Sequence, residues 1–465
     1  MPLTGFNINM KRKIISLGLL GVFIITSGFG CKGASVAVQK SMEPITLNYW
    51  RVNDGSDALD PIIAKYTAAH PYITINYRKL RPEEYETELL NALAEDRGPD
   101  ILSIKNTWTK KYESKLAPLP AVTPIVYIQV QGTINKTQVP TIVNEKSLTL
   151  ADLKNNFVDT VYDDAVINNQ IYGLPLALDT LALYYNRDLL NNAGIAQVPL
   201  YWNQDFQNDV KKMTKVDAKG NIIQSGTALG TGNNINNFAD ILALIMMQNG
   251  ARIIDDNNNV TMNAVAPGSS NNQYVPAVAA LQFYLDFANP VKEVYSWSAD
   301  LNNSTDAFVG GRLGFMFGYS DDLANIRARA PKLNFGIAPM LQIEGNNSVN
   351  MASYWLESVS KKSAHQNEAW NFVEFMTKAE NAQVYLNNTK RPTALRNLID
   401  GQKNDADLQI FAGQVLTAKN WYRGYDVKTA VTALASLIED ASKDGVKIAD
   451  AMNTAANRIL QTLNP

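Results

Sequence analysis

Between residues 45 and 104 the chain switches repeatedly between two apolar periodicities, and this switching restricts the fold more than any other feature of the sequence. Every second residue is apolar from Ile45 to Tyr49, which predicts a strand. Leu59 then opens an apolar series at i, i+3, i+4 and i+7, which predicts a helix that ends at His70-Pro71. A second alternating run over Ile73–Leu80 predicts another strand. The chain therefore opens with the order strand, helix, strand.

This order continues beyond residue 80. Pro82 occupies a position favoured at the start of a helix, and Ile101–Ile104 predicts a short third strand. Strands that alternate with helices predict a parallel α/β sheet with right-handed crossovers. Later strand-like runs and an apolar helix indicate a second α/β unit, followed by a mostly helical last third. The runs cover residues 181–185, 313–317 and 335–338, and the helix covers 238–248.

Residues 116–150 interrupt this pattern. Prolines at positions 118, 120, 124 and 140 are interleaved with Val, Ile and Thr. Proline removes a backbone donor and disfavours both helix interiors and central strands. The segment therefore predicts an irregular excursion that contains a β-ribbon.

The N-terminal segment has the features of a secretion signal. Basic residues Lys11–Lys13 precede the apolar run Ile14–Ile25, and Cys31 follows. Such a run is shorter than the roughly 20 residues that a membrane span needs, so residues 1–30 are expected to be a signal peptide. Cys31 would then be the acylated first residue, with residues 31–44 as anchor and linker, although Gly28 stands where lipoprotein signals usually carry Leu. Met10 is an alternative start.

Composition excludes several classes of protein. The chain has 42 basic and 44 acidic residues and a net charge of -2, whereas nucleic-acid binders show a clustered basic excess. It has a single cysteine and two histidines, which leaves no basis for disulfides, Cys/His zinc sites or a well-placed Ser-His-Asp triad. A pair of carboxylates for glycoside hydrolysis stays open among 44 acids. We therefore expect a soluble, disulfide-free protein of two or three domains' length.

Five stretches resemble the extracellular solute-binding proteins of ABC transporters, in particular the sugar-binding family that includes maltose-binding protein. They occur in the order found in that family and are spread over most of residues 45–465. The stretches are Gly98–Ile101, Ile171–Pro175, Leu178–Leu190, Gly311–Tyr319 and Ser358–Met376. The resemblance implies the type II periplasmic-binding-protein fold, α/β in class, with two lobes and a hinge that the chain crosses three times.

Mapped by these motifs, the lobes are discontinuous in sequence. Lobe 1 is expected to take residues 45–177 and 350–391, and lobe 2 residues 178–349 and 392–465. The hinge crossings would lie near residues 176–177, 347–348 and 392–393.

Sugars present an apolar face of C–H groups and an edge of hydroxyls, so a sugar site needs aromatic rings and planar polar side chains. The resemblance implies stacking positions at Trp421 with Tyr422 and at Tyr319, an acidic ligand contact at Asp179, and an aromatic at the cleft floor at Trp355. The alternatives are lobe packing for Trp421 and Tyr422, an ordinary strand end for Tyr319, and a hinge cap for Asp179.

Four more candidates follow predicted strands. Asn53 and Asp54 come after the first strand, and Asn106 and Trp108 come after the third. Open parallel sheets place ligand loops beyond the carboxyl ends of their strands, so these residues are candidate ligand contacts, with simple turn chemistry as the alternative. Four other tryptophans are expected to be structural. They are Trp50, Trp202, Trp297 and Trp370.

The resemblance implies a membrane-anchored lipoprotein outside the cytoplasm that captures a carbohydrate by lobe closure and delivers it to a permease. It implies a monomer without catalysis, cofactor or metal, with a separate ATPase as the energy source. A different solute stays open, such as a polyamine, peptide or organic phosphate. Aromatic residues around Asp54 and Asp179 would suit a cation. A secreted glycoside hydrolase is the alternative from another class.

Overall fold

The computed structural model describes residues 42–131, 137–268 and 274–464. The predicted signal peptide and Cys31 lie outside these ranges. The strands are β1 (Ile45–Val52), β2 (Ile73–Leu80), β3 (Ile101–Lys105), β4 (Leu116–Ala117), β5 (Val122–Gln131), β6 (Thr137–Lys146), β7 (Val166–Ile167), β8 (Gln170–Ile171), β9 (Asp179–Thr180), β10 (Ala182–Asn186), β11 (Lys215–Val216), β12 (Ile222–Thr227), β13 (Leu313–Gly318), β14 (Phe335–Ala338), β15 (Asn350–Ser353), β16 (Trp355–Ser360) and β17 (Ala418–Lys419).

The helices alternate with these strands in the first two thirds of the chain and dominate the last third. They are α1 (Asp60–Ala69), α2 (Pro82–Ala94), α3 (Thr109–Tyr112), α4 (Leu150–Asn156), α5 (Asp159–Ala165), α6 (Arg187–Asn192), α7 (Gln204–Met213), α8 (Phe238–Gln248), α9 (Pro276–Asp286), α10 (Ser304–Val309), α11 (Ser320–Arg329), α12 (Gln366–Thr377), α13 (Ala379–Thr389), α14 (Ile399–Gln402), α15 (Gln409–Gln414), α16 (Val427–Ala441) and α17 (Ile448–Gln461).

The first sheet has the strand order β2-β1-β3-β16-β4. β1 pairs in parallel with β2 over its whole length, from Ile45 opposite Ile73 to Val52 opposite Leu80, and in parallel with β3. β16 returns from far along the chain and pairs antiparallel with both β3 and β4. The predicted β1-α1-β2-α2-β3 order and its parallel pairing are therefore confirmed. The predicted β2 also has the observed bounds.

The second sheet has the strand order β11-β12-β13-β10-β14. β12 pairs in parallel with β13, whereas β10 pairs antiparallel with both β13 and β14 and β11 pairs antiparallel with β12. The expectation of sheets rich in parallel pairing therefore does not extend to this sheet. The apolar run of β13 is buried along its full length, and such a run signals a covered strand without indicating the direction of its neighbours.

A small third sheet has the order β17-β15-β9. Its central strand β15 pairs antiparallel with β9 and in parallel with β17. Along the chain, β15 leads directly into β16 of the first sheet, and β9 leads directly into β10 of the second. The third sheet therefore lies where the chain passes between the two larger sheets.

The predicted β-ribbon is confirmed, because β5 and β6 pair as a two-stranded sheet. Residues 126–143 of this ribbon form a unit separate from residues 44–125 and 144–465.

Long apolar side chains fill the core around both larger sheets. The helix predicted over residues 238–248 is confirmed as α8, and its buried face joins the core that surrounds the second sheet. Trp297 and Trp370 are fully buried, and Trp202 donates from Nε1 to Gln248 Oε1 at 2.8 Å, in agreement with structural roles. Within the described ranges, no helix is both long and apolar enough to cross a membrane.

Candidate functional site

A cavity of about 630 Å³ opens at the carboxyl ends of β1 and β3. Side chains from the loops after these strands line one side, and side chains from α8, the start of α11 and the segment after β17 line another. Of the nine candidate ligand contacts, the structure brings eight to this cavity. They are Asn53, Asp54, Asn106, Trp108, Asp179, Tyr319, Trp355 and Trp421.

One side of the cavity carries a pair of tryptophans. The rings of Trp108 and Trp355 meet edge to face with centroids 5.5 Å apart. Behind them, Trp108 stacks on Tyr112 at 5.8 Å, and Trp355 meets the edge of Tyr85 at 5.8 Å. Both tyrosines are buried, whereas both tryptophans are partly exposed to the cavity. The pair therefore presents a supported aromatic surface that can stack on an apolar ligand face.

A second aromatic pair lies on the side formed by α8 and α11. Asp240, in the first turn of α8, accepts a hydrogen bond from Tyr319 Oη at 2.8 Å and another from Trp421 Nε1 at 2.9 Å. One carboxylate therefore holds both rings, each through a different oxygen. Asp240 was missed by the sequence reasoning, since an acid in the first turn of a helix is ordinary and nothing local links it to residues 79 and 181 positions away.

A buried ionic network forms one end of the cavity. Arg51 donates from Nε to Glu357 at 2.9 Å, pairs through Nη1 with Asp54 at 2.9 Å and donates through Nη2 to the Tyr385 hydroxyl at 2.8 Å. Glu357 is fully buried and also accepts from the Tyr49 hydroxyl at 2.7 Å. Both charges of the Arg51–Glu357 pair are thereby matched, as burial requires.

Asp54 is neutralised from two directions. Besides Arg51, it pairs with Arg391 at 3.3 Å, and Arg391 pairs in turn with Asp321 at 3.0 Å. Burial by itself would raise the pKa of Asp54, but the two guanidiniums outweigh burial and lower this pKa below its usual value. The carboxylate is therefore ionised and already surrounded by donors. Its neighbour Asn53 is exposed with a φ of 67°, in the left-handed region that asparagine tolerates.

Asp179 caps the start of α11. It accepts from the Ser320 backbone nitrogen at 2.9 Å, from the Ser320 hydroxyl at 2.6 Å and from the Thr180 nitrogen at 2.8 Å. Burial, together with the nearby charge of Asp321, raises the pKa of Asp179 to about 7. Asp179 therefore makes the bonds expected of a capping carboxylate, and its side chain also lines the cavity.

Asn106 belongs to a second buried network, centred on Asp164. Its amide donates to Asp164 at 3.2 Å, and the same carboxylate accepts from the Tyr354 hydroxyl at 2.8 Å, from Asn420 at 3.2 Å and from Arg423 at 2.8 Å. Asp164 thus ties the end of β3 to the segment that carries Trp421. It fixes the position of groups on both sides of the cavity.

Residues 51–383, more than half of the chain, match the family model of the bacterial extracellular solute-binding proteins. The chain belongs to this family. An extracytoplasmic location follows from that membership.

Individual relatives of this solute-binding protein are distant. The multiple sugar-binding protein of Streptococcus mutans is 23% identical over 95% of this chain and 97% of its own length. A binding protein of Brucella abortus is 24% identical, and the match spans 58% of this chain but 62% of that protein. The crystal structure of the cyclic alpha-maltosyl-1,6-maltose binding protein from Arthrobacter globiformis superposes with a TM-score of 0.71 at 19% identity, covering 90% of this chain and 99% of that one. The two-lobe periplasmic binding fold is thereby confirmed.

The ninth candidate of this solute-binding protein, Tyr422, does not line the cavity. Its side chain is fully buried, its hydroxyl bonds Thr462 Oγ1 at 2.9 Å, and it accepts from the Asp426 nitrogen at 2.9 Å. Its ring packs against Trp421 at 5.5 Å. The structure therefore places Tyr422 behind Trp421, where the packing alternative puts it.

Lys105 was also missed by the sequence reasoning, although it directly precedes the candidate Asn106. It is the last residue of β3 and lines the cavity. Its ammonium donates to Ser353 Oγ at 2.9 Å and lies 5.4 Å from the centre of the Trp355 ring. Burial lowers the pKa of Lys105 below the usual lysine value. Within the described residues, no cluster of His, Cys, Asp and Glu is suited to hold a metal ion.

Proposed function

We propose that this chain is the binding component of an ABC importer and captures a carbohydrate in the cavity described above. The observation that carries the proposal is the pair of aromatic surfaces, Trp108 with Trp355 and Tyr319 with Trp421, at one cavity of about 630 Å³. This volume is in the range of small-molecule sites. Aromatic faces suit the C–H face of a sugar, and the polar groups between them suit its hydroxyls.

The distant relatives agree in ligand class. The protein of Streptococcus mutans is named for multiple sugars, and that of Arthrobacter globiformis for cyclic alpha-maltosyl-1,6-maltose. Neither name identifies the ligand of this chain, because identities of 23% and 19% leave the site residues free to differ. We therefore carry over to this chain only the ligand class, which is carbohydrate.

We further propose that lobe 1 takes residues 45–177 and 350–391 and lobe 2 takes residues 178–349 and 392–465. All strands of the first sheet fall in the first set, and all strands of the second sheet fall in the second set. The cavity then lies between the lobes, and a ligand that contacts both would favour their closed arrangement. A permease that recognises the closed form would receive loaded protein, with energy from a separate ATPase. The binding protein itself would be a monomer and would perform no catalysis.

A cationic solute such as a polyamine is less well supported. The acids that would attract it are the five that line the cavity, and all of them already accept bonds from protein donors: Asp54, Asp179, Asp240, Asp321 and Asp322. Displacing those donors would leave Arg51 or the start of α11 unpaired in a buried place, which is costly. The occupied carboxylates therefore favour a neutral ligand.

We propose that Cys31 carries the lipid that anchors the protein to the cell membrane. The proposal rests on the basic and apolar segment before it and on the extracytoplasmic family. Labelling of cells with a fatty-acid probe tests it. Lipidated protein in the wild type and released, unlabelled protein in Cys31→Ser would support the anchor, and equal labelling of both would refute it.

A thermal-shift screen of the purified protein tests the ligand class. The panel contains mono- and oligosaccharides, polyamines, amino acids and phosphates, and each hit is checked for breakdown. A ligand at a hundredfold excess over its dissociation constant adds about 2.7 kcal/mol to the free energy of unfolding, which is readily measured. A saccharide recovered intact supports the proposal. A shift with polyamines alone would refute the carbohydrate, and a cleaved saccharide would refute binding without catalysis.

Two variants test whether a saccharide that shifts the unfolding temperature binds in this cavity. Trp108→Ala removes part of the cavity surface and should weaken the saccharide shift. Trp50→Ala is the matched control, because Trp50 is also partly exposed but packs against Arg78, outside the cavity lining. Equal loss in both variants would mean that the ligand binds elsewhere.

A further inference from the structure

We propose that Lys105 donates to the bound ligand and is a specificity-determining residue, which makes this site selective for neutral, hydroxyl-rich ligands over charged ones. The inference rests on the proposed function and adds to it the residue and the charge class. Lys105 leaves donors unused inside the cavity.

Lys105 differs from the other cavity cations in its partners. Arg51 and Arg391 each pair with carboxylates at 3.3 Å or less. The ammonium of Lys105 instead donates to the neutral Ser353 hydroxyl, and among the described residues it has no ion-pair partner. An ammonium has three donors, and Ser353 takes one of them. Two donors of a partly buried cation are therefore left for what fills the cavity.

The surroundings of Lys105 explain how it stays charged. Asp240 of α8, Asp321 of α11 and Asp179 of β9 act on its ammonium through space and favour the charged form, whereas burial and Arg391 oppose it. The oxygens of these acids already accept bonds, from Tyr319 and Trp421, from Arg391 and from Ser320 respectively. The acids thus balance the lysine charge without ion-pairing with it.

This balance sets the charge class of the ligand. An anionic ligand at Lys105 would also face Asp240 and Asp321, and like charges in a cavity repel strongly. A cationic ligand would face Lys105 itself. A hydroxyl or ring oxygen accepts from the ammonium without adding charge, so a neutral polyol satisfies the free donors at the lowest cost.

The position of the Lys105 ammonium also favours a neutral, hydroxyl-rich ligand. The ammonium lies 5.4 Å from the centre of the Trp355 ring. Because the ammonium lies over the Trp355 ring, a sugar that contacts this aromatic pair and turns an edge hydroxyl toward Lys105 would be held at its face and at its edge. Stacking and donation therefore act on the same ligand ring, one on its face and the other on its edge.

The test compares Lys105→Met with wild type and with Lys111→Met. Lys111 pairs with Glu86 and does not line the cavity. Isothermal titration with maltotriose and mannotriose as neutral probes, trigalacturonate as an acidic probe and spermidine as a cationic probe gives the affinities. Thermal unfolding without ligand gives the stability. Lys105→Gln serves as a second variant if Lys105→Met does not fold.

We expect wild type to bind a neutral trisaccharide and Lys105→Met to bind it about 10- to 100-fold more weakly, the range for a lost charge-assisted bond. Without ligand, Lys105→Met should unfold at the same or a higher temperature than wild type, because it no longer buries a charge. A merely structural lysine would instead lower the unfolding temperature. Lys111→Met should match wild type in affinity.

The pH profile is an independent readout on unmodified protein. Because burial lowers the pKa of Lys105, saccharide affinity of wild type should fall with rising pH, and at a lower pH than an ordinary lysine would give. Tyr319 does not contribute to this pH dependence, since burial raises the pKa of Tyr319 well above that of free tyrosine. A flat profile would overturn the proposal.

Two further outcomes separate the two proposals. If wild type and Lys105→Met bind the same saccharide equally, or if trigalacturonate binds wild type more tightly than the neutral probes, the role of Lys105 is overturned while carbohydrate binding stands. If no saccharide binds wild type, both proposals fall.

Discussion

Replacing Asp240 by Ala tests whether one carboxylate organises half of the cavity. The substitution removes both acceptors and leaves the Trp421 indole nitrogen and the Tyr319 hydroxyl without their partner. A hydrogen bond to a charged group contributes about 1.5–3 kcal/mol, so two bonds amount to roughly 3–6 kcal/mol. Water from the cavity can reach the freed donors, and we therefore expect the low end, about 3 kcal/mol off the free energy of unfolding.

Asp240→Asn provides a graded comparison. The indole of Trp421 can only donate, so the amide oxygen must turn to it. The amide nitrogen then faces the Tyr319 hydroxyl, which can accept instead of donating. Both contacts survive as neutral bonds, and we expect a loss of about 1 kcal/mol.

Urea unfolding measures the stabilities, and calorimetric titration with the saccharide found by screening measures the affinity. We expect Asp240→Ala to weaken binding at least about tenfold, or 1.4 kcal/mol, since both rings lose their fixed orientation. Asp300→Asn, at an exposed carboxylate outside the cavity lining, is the control and should change neither quantity. The reasoning is refuted if Asp240→Asn lowers the free energy of unfolding as much as Asp240→Ala does. It is also refuted if Asp240→Ala lowers stability without changing saccharide affinity.

Three further predictions concern other positions. Native Asp179 holds its proton up to about pH 7, whereas the unfolded chain releases it near pH 4, so unfolding between these values releases a proton. The free energy of unfolding should therefore fall as pH rises through this window, by at most about 1.4 kcal/mol per pH unit. Asp179→Asn should flatten that slope in unfolding experiments, and an unchanged slope would assign it to other groups. Tyr422→Phe should lower the free energy of unfolding by about 1–3 kcal/mol through lost bonds to Thr462 while saccharide affinity stays within twofold, and a large affinity loss would restore Tyr422 as a ligand contact. A Cβ at Gly226 would clash with the Val210 carbonyl oxygen, so Gly226→Ala should destabilise the protein strongly, whereas Gly401→Ala, with open space around it, should not. Equal unfolding temperatures of the two variants would contradict this packing.

Local sequence located three of the five strands of the first sheet, β1 to β3, but not β4 or β16. The strand Ile73–Leu80 has the bounds that its periodicity predicts, and the next helix starts at Pro82 as the proline predicts, because each signal depends on residues close in sequence. Local signals also located three of the five strands of the second sheet, β10, β13 and β14, but not the antiparallel pairing of β10, which depends on where distant segments pack.

The residues of the candidate site fall into two groups, those predicted from strand order and those indicated by the family resemblance. Asn53, Asp54, Asn106 and Trp108 reach the cavity because they follow the carboxyl ends of neighbouring parallel strands, a property of chain order and sheet direction. For Tyr319, Trp421 and Asp179 the family resemblance indicated positions that also line it. Their functional roles stay predictions until ligand binding is measured.

Tertiary structure alone decided which charges meet. Arg51 pairs with Glu357 across 306 positions, Arg391 with Asp54 across 337, and Asp240 holds rings from two distant segments. No local pattern encodes such pairs, since any of 44 acids could accept from any of 42 cations until the chain is folded. For the same reason only the fold shows that Lys105 has no carboxylate partner among the described residues, and with it the charge class that the cavity should prefer.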